Sequence, residues 1–357
     1  MTRRRTGRAR AWVELLRVSA LFSVPGDALA GAAAAGVRPG RGTLCAIGAS
    51  LCLYEAGMAL NDWADRAEDA AERPHRPLPS GRIAPSAALA ASAALTAAGL
   101  ALASRAGRPP LAVATALAAT VWAYDLGLKH TPAGPATMAT ARALDLLLGA
   151  TASTGGNHGP CHRAVHALPS AALLGAHTYA VTAVSRHETQ GGSTRTPLAA
   201  LAVTLAVAGA ASGEVLGARP ATTATTVSTP SGPPAPAPAP HPHPALPSGR
   251  TLPSSPPLPP SRPPSSRLAR PTRRPVPSRG LGSLLALAYA RTPATLLLHA
   301  ALNPSAALTE RAVGGGIRAT IPLQAALAAR AGAPGTALAL LGLVPAARAL
   351  ARKVSPT

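Results

Sequence analysis

The chain has 357 residues, with 34 Lys and Arg against 13 Asp and Glu, a formal net charge of +21. Charged residues make up only 13% and aromatics 2%, with a single Phe. A soluble nucleic-acid binder would combine its basic charge with stacking aromatics, and a wholly disordered chain would lack long apolar stretches. Both are excluded. A polytopic membrane protein remains.

A transmembrane helix needs roughly 20 mostly apolar residues. After a basic start, residues 1–17, candidate spans fall at 18–37, 42–61, 84–104, 109–128, 134–155, 166–185 and 196–217, then at 281–302, 312–331 and 334–351. The fold class is therefore all-α, a polytopic transmembrane helix bundle of nine or ten spans. Ala is nearly neutral for insertion, so Leu, Val and Ile carry the signal, and small residues let helices approach closely. Basic residues flank cytoplasmic ends. That places the N-terminus, the 62–83 loop and Lys129 inside, and favours ten spans because Arg348, Arg352 and Lys353 then also fall inside. The expected location is the plasma membrane, multi-pass.

Four regions follow: the basic terminus 1–17, a transmembrane core 18–218, a low-complexity insertion 219–280, and C-terminal spans 281–357. The insertion holds about half of the 39 prolines. Proline cannot continue a helix, so this tract should be extended, disordered and external, inert or offering a docking stretch for proline-recognition domains. Cys45, Cys52 and Cys161 have neither disulfide nor zinc spacing. His158, His162 and His166 recur at four-residue intervals, but Gly159 and Pro160 interrupt the helix that would align them for a metal.

The acids carry the sharper signal. Six of thirteen, Glu55, Asp62, Asp65, Glu68, Asp69 and Glu72, lie within eighteen residues. Asn61, Asp65 and Asp69 recur every four residues and share a helical face, with Asp62 beside them and Glu55 and Met58 extending the stripe into the membrane. Clustered carboxylates repel, and a divalent cation removes that cost. Oxygen donors favour Mg²⁺ or Ca²⁺, and Mg²⁺ commonly bridges one or two carboxylates to substrate phosphates. The alternative is a solvated helix end with Arg66 and Arg73 paired to the acids.

The segment NDWADRAEDAAERPHRPLPSGRI resembles the first aspartate-rich motif of the UbiA superfamily of intramembrane prenyltransferases, and ELLRVSALFSVPGDALAG and YDLGLKHTPAGP resemble supporting segments of the same family. The resemblance implies a UbiA-like all-α bundle that holds an isoprenyl diphosphate through Mg²⁺ and moves its prenyl group onto an acceptor. It implies that Asn61, Asp65 and Asp69 ligate the metal, with Asp62 in support. The family's second D-x-x-x-D motif is missing. In its place stands AVSRHETQGGSTRTP, which resembles the EboC-like branch and leaves Glu188 as the lone carboxylate, with Ser185, Arg186, His187 and Gln190 around it.

Prenyl transfer needs a stabilised leaving group and a dry cavity. Lys129 and Arg186 are the basic candidates for the diphosphate, and Glu188 is a candidate metal ligand or base. Charges within spans are functional candidates by default. Asp27 stands to face the acceptor pocket or cap a broken helix. Arg142 and Asp145, three apart, can pair with each other. Tyr54 and Glu55 are placed to line the pocket, and Tyr124 to stabilise cation character. The expected partners are an isoprenyl diphosphate, an unidentified acceptor and the lipid bilayer, with no nucleic acid. The remaining readings are phosphoribosyl-type transfer onto a polyprenyl phosphate and a non-catalytic transporter. Transport predicts polar residues across the midplane in repeat-related halves, whereas the acids here gather at one mouth.

Overall fold

Leu, Val and Ala runs of span length become helices throughout, because in lipid every backbone N–H and C=O must be satisfied within the segment. The computed structural model describes residues 2–17, 23–154, 162–187, 193–213 and 279–354, and among these there is no strand. The elements in chain order are α1 (Thr2–Leu15), α2 (Val24–Ala34), α3 (Arg41–Ala64), α4 (Arg66–Glu72), α5 (Pro85–Ala106) and α6 (Arg108–Ala123). A π-helical turn, Tyr124–Leu128, follows. Then come α7 (Gly134–Ser153), α8 (His162–Val165), α9 (Leu168–Ser185), α10 (Arg195–Ser212), α11 (Arg279–Leu302), α12 (Ala306–Arg330) and α13 (Pro334–Val354).

Among the described residues, six helices are long and apolar enough to cross a membrane: Arg41–Ala64, Pro85–Ala106, Arg108–Leu128, Arg163–Ser185, Arg195–Ser212 and Gly280–Leu302. The other expected spans coincide with α2, α7, α12 and α13. Each is short or diluted: α2 has 11 residues, α7 carries Arg142 and Asp145, and α12 carries Glu310, Arg311 and Arg318. Residues 18–22 of the expected first span lie outside the described residues, as does nearly all of the 219–280 tract. The basic start, expected only as a cytoplasmic flank, is helical over α1.

Two cores organise the bundle. One joins α2, α3, α5, α6 and α7 around Ala28, Leu53, Leu117 and Leu148. The other joins α2 and α7 to α9, α10, α11, α12 and α13 around Leu146, Leu174, Tyr289 and Leu323. Most buried hydrophobic positions are Ala. Lipid is as apolar as a leucine side chain, so helix association here rests on close packing rather than on water exclusion. The α2/α7 crossing shows it. A Cβ on Gly149 would stand 2.3 Å from Ala28 Cα, and one on Gly31 would stand 2.0 Å from the Leu146 carbonyl oxygen. The backbones touch because both residues are glycine. The large exposed apolar side chains, Leu44, Leu205, Leu284, Leu287, Leu302 and Ile317 among them, then suit a lipid-facing surface.

A polar clamp ties α9 to α11 and α12. The His177 ring lies 2.9 Å from the Tyr289 hydroxyl and 3.1 Å from the Gly316 carbonyl oxygen. A carbonyl only accepts, so Nε2–H donates to Gly316, and in the neutral ring Nδ1 accepts from Tyr289. Both side chains are buried, and the pairing leaves neither ring nitrogen orphaned.

Candidate active site

The site is built where α3 ends against the π turn. Helix α3 gives way to α4 at Asp65, whose N–H still bonds the Asn61 carbonyl. At the end of α6 the Lys129 N–H reaches back five residues to the Tyr124 carbonyl, at 2.9 Å. This widened turn changes the register of the helix at Asp125 and Lys129, and such π insertions concentrate at functional sites. Asp125, buried, accepts from Asn61 Nδ2 at 3.0 Å. Lys129 forms an ion pair with Asp65. Two of the expected ligands thus meet two groups from the next helix pair. Asp125 was missing from the expected set. Its signal was an acid four residues before a rare lysine, in a chain with thirteen acids.

The other two expected ligands face elsewhere. Asp62 and Asp69, seven residues apart, both reach Arg76: the distances are 3.7 Å and 2.6 Å. Arg17 adds a second cation to Asp62 at 3.2 Å, and Arg73 a second to Asp69 at 3.7 Å. The four motif residues thus meet two different sets of partners. Arg73 and Arg76, which follow α4, and Arg17, just past α1, neutralise one pair, and the π turn meets the other. Of the two arginines considered as partners for the acids, Arg73 takes that role. Arg66 instead bonds the Trp63 carbonyl at 2.8 Å, with its guanidinium 4.5 Å from the Trp63 ring centroid. Glu14 fixes α1 over this region through two bonds from Arg82, at 2.7 and 3.0 Å, and that donation holds the Arg82 guanidinium above its ordinary range.

A cavity of about 290 Å³ opens beneath Asn61. Its walls are Leu53, Gly57, Met58, Leu117, Val121, Met138 and Ala141, with Tyr54 and Tyr124 among them. Arg17, Asn61 and Asp125 stand at one end, and Ser50, Arg142 and Asp145 line it as well. Ser50 precedes Asn61 by three helical turns, about 16 Å at 1.5 Å per residue. The polar groups thus mark a mouth and a floor with an apolar middle. Tyr54 and Tyr124 line the cavity. Glu55 does not: it is one residue, or about 100° of helix, from Tyr54, and is absent from the lining. Its carboxylate is buried without a hydrogen-bond partner among the described residues.

The floor also departs from expectation. Arg142 pairs with Asp27, at 3.0 Å, rather than with its neighbour Asp145. Asp27 is fully buried and accepts from Gln324 Nε2 at 2.6 Å, while Asp145 accepts from Ser50 Oγ at 2.5 Å. Gln324, from α12, also donates to the Ser23 carbonyl at 2.7 Å. Gln324, Arg17 and Ser50 are further site residues that sequence reasoning missed. Gln324 lies 297 residues from Asp27, and no local pattern connects them.

Arg186 reaches the mouth from α9, but its guanidinium is spent on backbone. It donates to the carbonyls of Thr131 and, at 3.4 Å, His130. It thereby holds the loop that carries His130. Glu188 and Gln190 lie outside the described residues, as do His158 and Cys161. Cys45 and Cys52 are free and half-buried.

The donor set suits a hard divalent cation. Asp65, Glu68 and His130 offer ligand atoms within 4.8 Å of one another. Asn61 gives its N–H to Asp125, which leaves its carbonyl oxygen as a further acceptor. The oxygen donors Asn61, Asp65 and Glu68, apart from the His130 nitrogen, match Mg²⁺ that keeps waters and takes phosphate oxygens.

Residues 20–218 match the UbiA prenyltransferase family. The chain belongs to this family. Two curated relatives match part of it. The digeranylgeranylglyceryl phosphate synthase of Methanopyrus kandleri is 34% identical over 128 residues, covering 34% of this chain and 45% of its own length. The synthase of the same name from Korarchaeum cryptofilum is 35% identical over 149 residues, covering 41% and 53%. The chain thus spans about half the length of the curated relatives it matches. In fold, the apo UbiA homologue from Aeropyrum pernix K1 superposes with a TM-score of 0.55 at 15% identity, over 91% of this chain and 97% of that one. A structure described as giving insight into digeranylgeranylglyceryl phosphate synthase in membranes superposes with a TM-score of 0.54 at 13% identity, over 91% and 98%. With its apolar helices, this UbiA-family chain is a multi-pass membrane protein.

Proposed function

We propose that the protein transfers a prenyl group from an isoprenyl diphosphate, held as its Mg²⁺ complex at the mouth, to an acceptor within the cavity. The observation that carries this reading is the cavity itself: apolar walls run from an acid-and-cation mouth to a polar floor. Asn61 and Asp65 would hold the metal, joined by Asp125 or Glu68, while Asp62 and Asp69 would act through their arginines. When bound, Mg²⁺ offsets negative charge on the departing diphosphate. Lys129 and Arg17 would supply the protein's own positive charge to diphosphate oxygens. Leu53, Met58, Leu117, Val121 and Met138 keep water from C1 of the prenyl chain, where cation character develops, and the faces of Tyr54 and Tyr124 favour that charge. Arg186 orients the 130–131 loop, and the segment around Glu188 stands in place of a second aspartate motif. The concentration of arginines beside the mouth supports a cytoplasmic orientation for it.

The test uses membranes holding the full chain, radiolabelled farnesyl diphosphate, Mg²⁺ and a cell lipid extract. Asp65→Ala should lower Mg²⁺-dependent product by roughly 100-fold or more, a usual cost of losing a group that stabilises transition-state charge. Equal product from wild type and Asp65→Ala would sink the proposal.

A further inference from the structure

The loop after the π turn carries an exposed histidine that is fastened on both sides. His130 follows Lys129, whose N–H closes the π turn on the Tyr124 carbonyl at 2.9 Å. Beyond it, the Thr131 N–H and hydroxyl both donate to the Leu128 carbonyl, at 3.1 and 2.7 Å. The Ala133 N–H donates to the Thr131 hydroxyl oxygen at 3.2 Å. From α9, Arg186 donates to the carbonyls of both His130 and Thr131. Exposed loops are ordinarily the mobile parts of a chain, and the exposed His130 ring gains no packing from these bonds. What they fix is its distance from two carboxylates. A ring nitrogen of His130, a carboxylate oxygen of Asp65 at the end of α3 and one of Glu68 on α4 lie within 4.8 Å of one another. Lys129 pairs with Asp65 Oδ1. A carboxylate has two oxygens, each able to accept more than once, so Asp65 can hold the lysine and a metal together.

Resting on the reading above, in which a divalent cation sits at this mouth, we infer that His130 is one of its ligands, together with Asp65 and Glu68, and that Arg186 holds His130 in place. The neutral imidazole offers the lone pair of one ring nitrogen, while the other nitrogen keeps its proton. Three protein donors leave the remaining positions of an octahedral cation to water and to diphosphate oxygens. Two carboxylate oxygens and an imidazole nitrogen form a mixed set. Oxygen-only sets suit Mg²⁺, whereas imidazole favours the first-row transition ions. The site therefore takes Mn²⁺ more tightly than Mg²⁺, and the His130 nitrogen is the reason. Arg186 acts through the backbone of His130 and Thr131 and is a positioning residue, as the outer partners of metal ligands commonly are.

The experiment uses the full chain in detergent, first with Mn²⁺ alone and then with Mn²⁺ and farnesyl diphosphate. Electron spin echo spectroscopy detects nitrogen bonded to the bound Mn²⁺, and protein made with ¹⁵N-labelled histidine shows whether that nitrogen belongs to a histidine. Wild type should show a histidine coupling and bind Mn²⁺ at least about tenfold more tightly than Mg²⁺. His130→Ala should abolish the coupling and weaken Mn²⁺ binding by about tenfold or more. Arg186→Ala should weaken it by roughly tenfold, the low end for losing an outer partner of a ligand. Arg186→Lys, which can still donate to a carbonyl, should recover most of that loss. An unchanged coupling in His130→Ala overturns the ligand assignment, and wild-type Mn²⁺ affinity in Arg186→Ala overturns the positioning role. Should a variant fail to fold, the labelled wild-type protein decides on histidine ligation alone. Bound Mn²⁺ that needs Asp65 but shows no histidine nitrogen overturns the inference and leaves the transfer reading standing. No Mn²⁺ binding, with or without the diphosphate, removes that reading as well.

Discussion

Arg76 holds two buried carboxylates at once, and its loss tests how the aspartate-rich motif is neutralised. Asp62 and Asp69 have side chains only 6% and 4% exposed, and Arg76 is 23% exposed. Leaving a buried charge without its partner commonly costs about 3–5 kcal/mol. Here Arg17 and Arg73 remain as second cations, so the expected cost of Arg76→Ala is lower, roughly 2 kcal/mol. Thermal unfolding in detergent should show a fall of several degrees, and Arg76→Lys should recover part of it. An unchanged midpoint would mean that the two acids are not held as described. The existence of this cluster was legible from spacing alone. Its division was not. Helical periodicity places Asn61, Asp62, Asp65 and Asp69 close together but cannot say which of them meets an arginine and which meets the π turn.

At the scale of elements, α2 and α7 meet through two glycines, Gly31 and Gly149. A Cβ at Gly149 would overlap Ala28, and Ala28 follows Asp27, which pairs with Arg142 on α7. Gly149→Ala should push the helices apart, at about 1–3 kcal/mol as for other overpacked cores. It should also weaken transfer by loosening the cavity floor. Gly342→Ala in α13 is the control, because nothing lies within 4 Å of its added Cβ. Both changes remove a helical glycine, so only crowding distinguishes them. Equal unfolding midpoints for the two variants would contradict the packing. The helices themselves were largely legible: α3, α5, α9 and α11 lie within a few residues of the expected spans. Crossings were not. Alanine-rich faces look alike, and which glycine meets which backbone depends on helices far apart in sequence.

For the whole molecule, the chain divides at Gly217 and Pro275, close to the limits of the Pro-rich tract. Helices α10 and α11 pack together, and a Cβ on Gly282 would lie 3.8 Å from the Ser212 carbonyl oxygen. The two ends of the intervening stretch thus meet. Replacing 218–274 with a short Gly/Ser linker should leave both the unfolding midpoint and prenyl transfer within about twofold of wild type, because long surface insertions cost little to close or remove. A large loss of either would give the tract a part in folding or catalysis. The same division explains the charge of +21. Much of it sits in basic helix flanks and in the Arg-bearing insertion, and of the basic start Arg17 lines the cavity.

Composition and local spacing were enough to determine a multi-pass helical bundle, its rough helix limits, and a carboxylate cluster suited to a metal and a diphosphate. Those features follow from hydrophobic length and helical period, which are properties of neighbouring residues. Tertiary structure alone decided that Asn61 and Asp65 face Asp125 and Lys129, that Glu55 turns away from the cavity, and that Arg142 belongs to Asp27. It also brought Gln324 to the floor from α12. These are choices among partners distant in sequence. Packing settles them, because a buried charge takes whichever opposite charge or donor the fold places within reach.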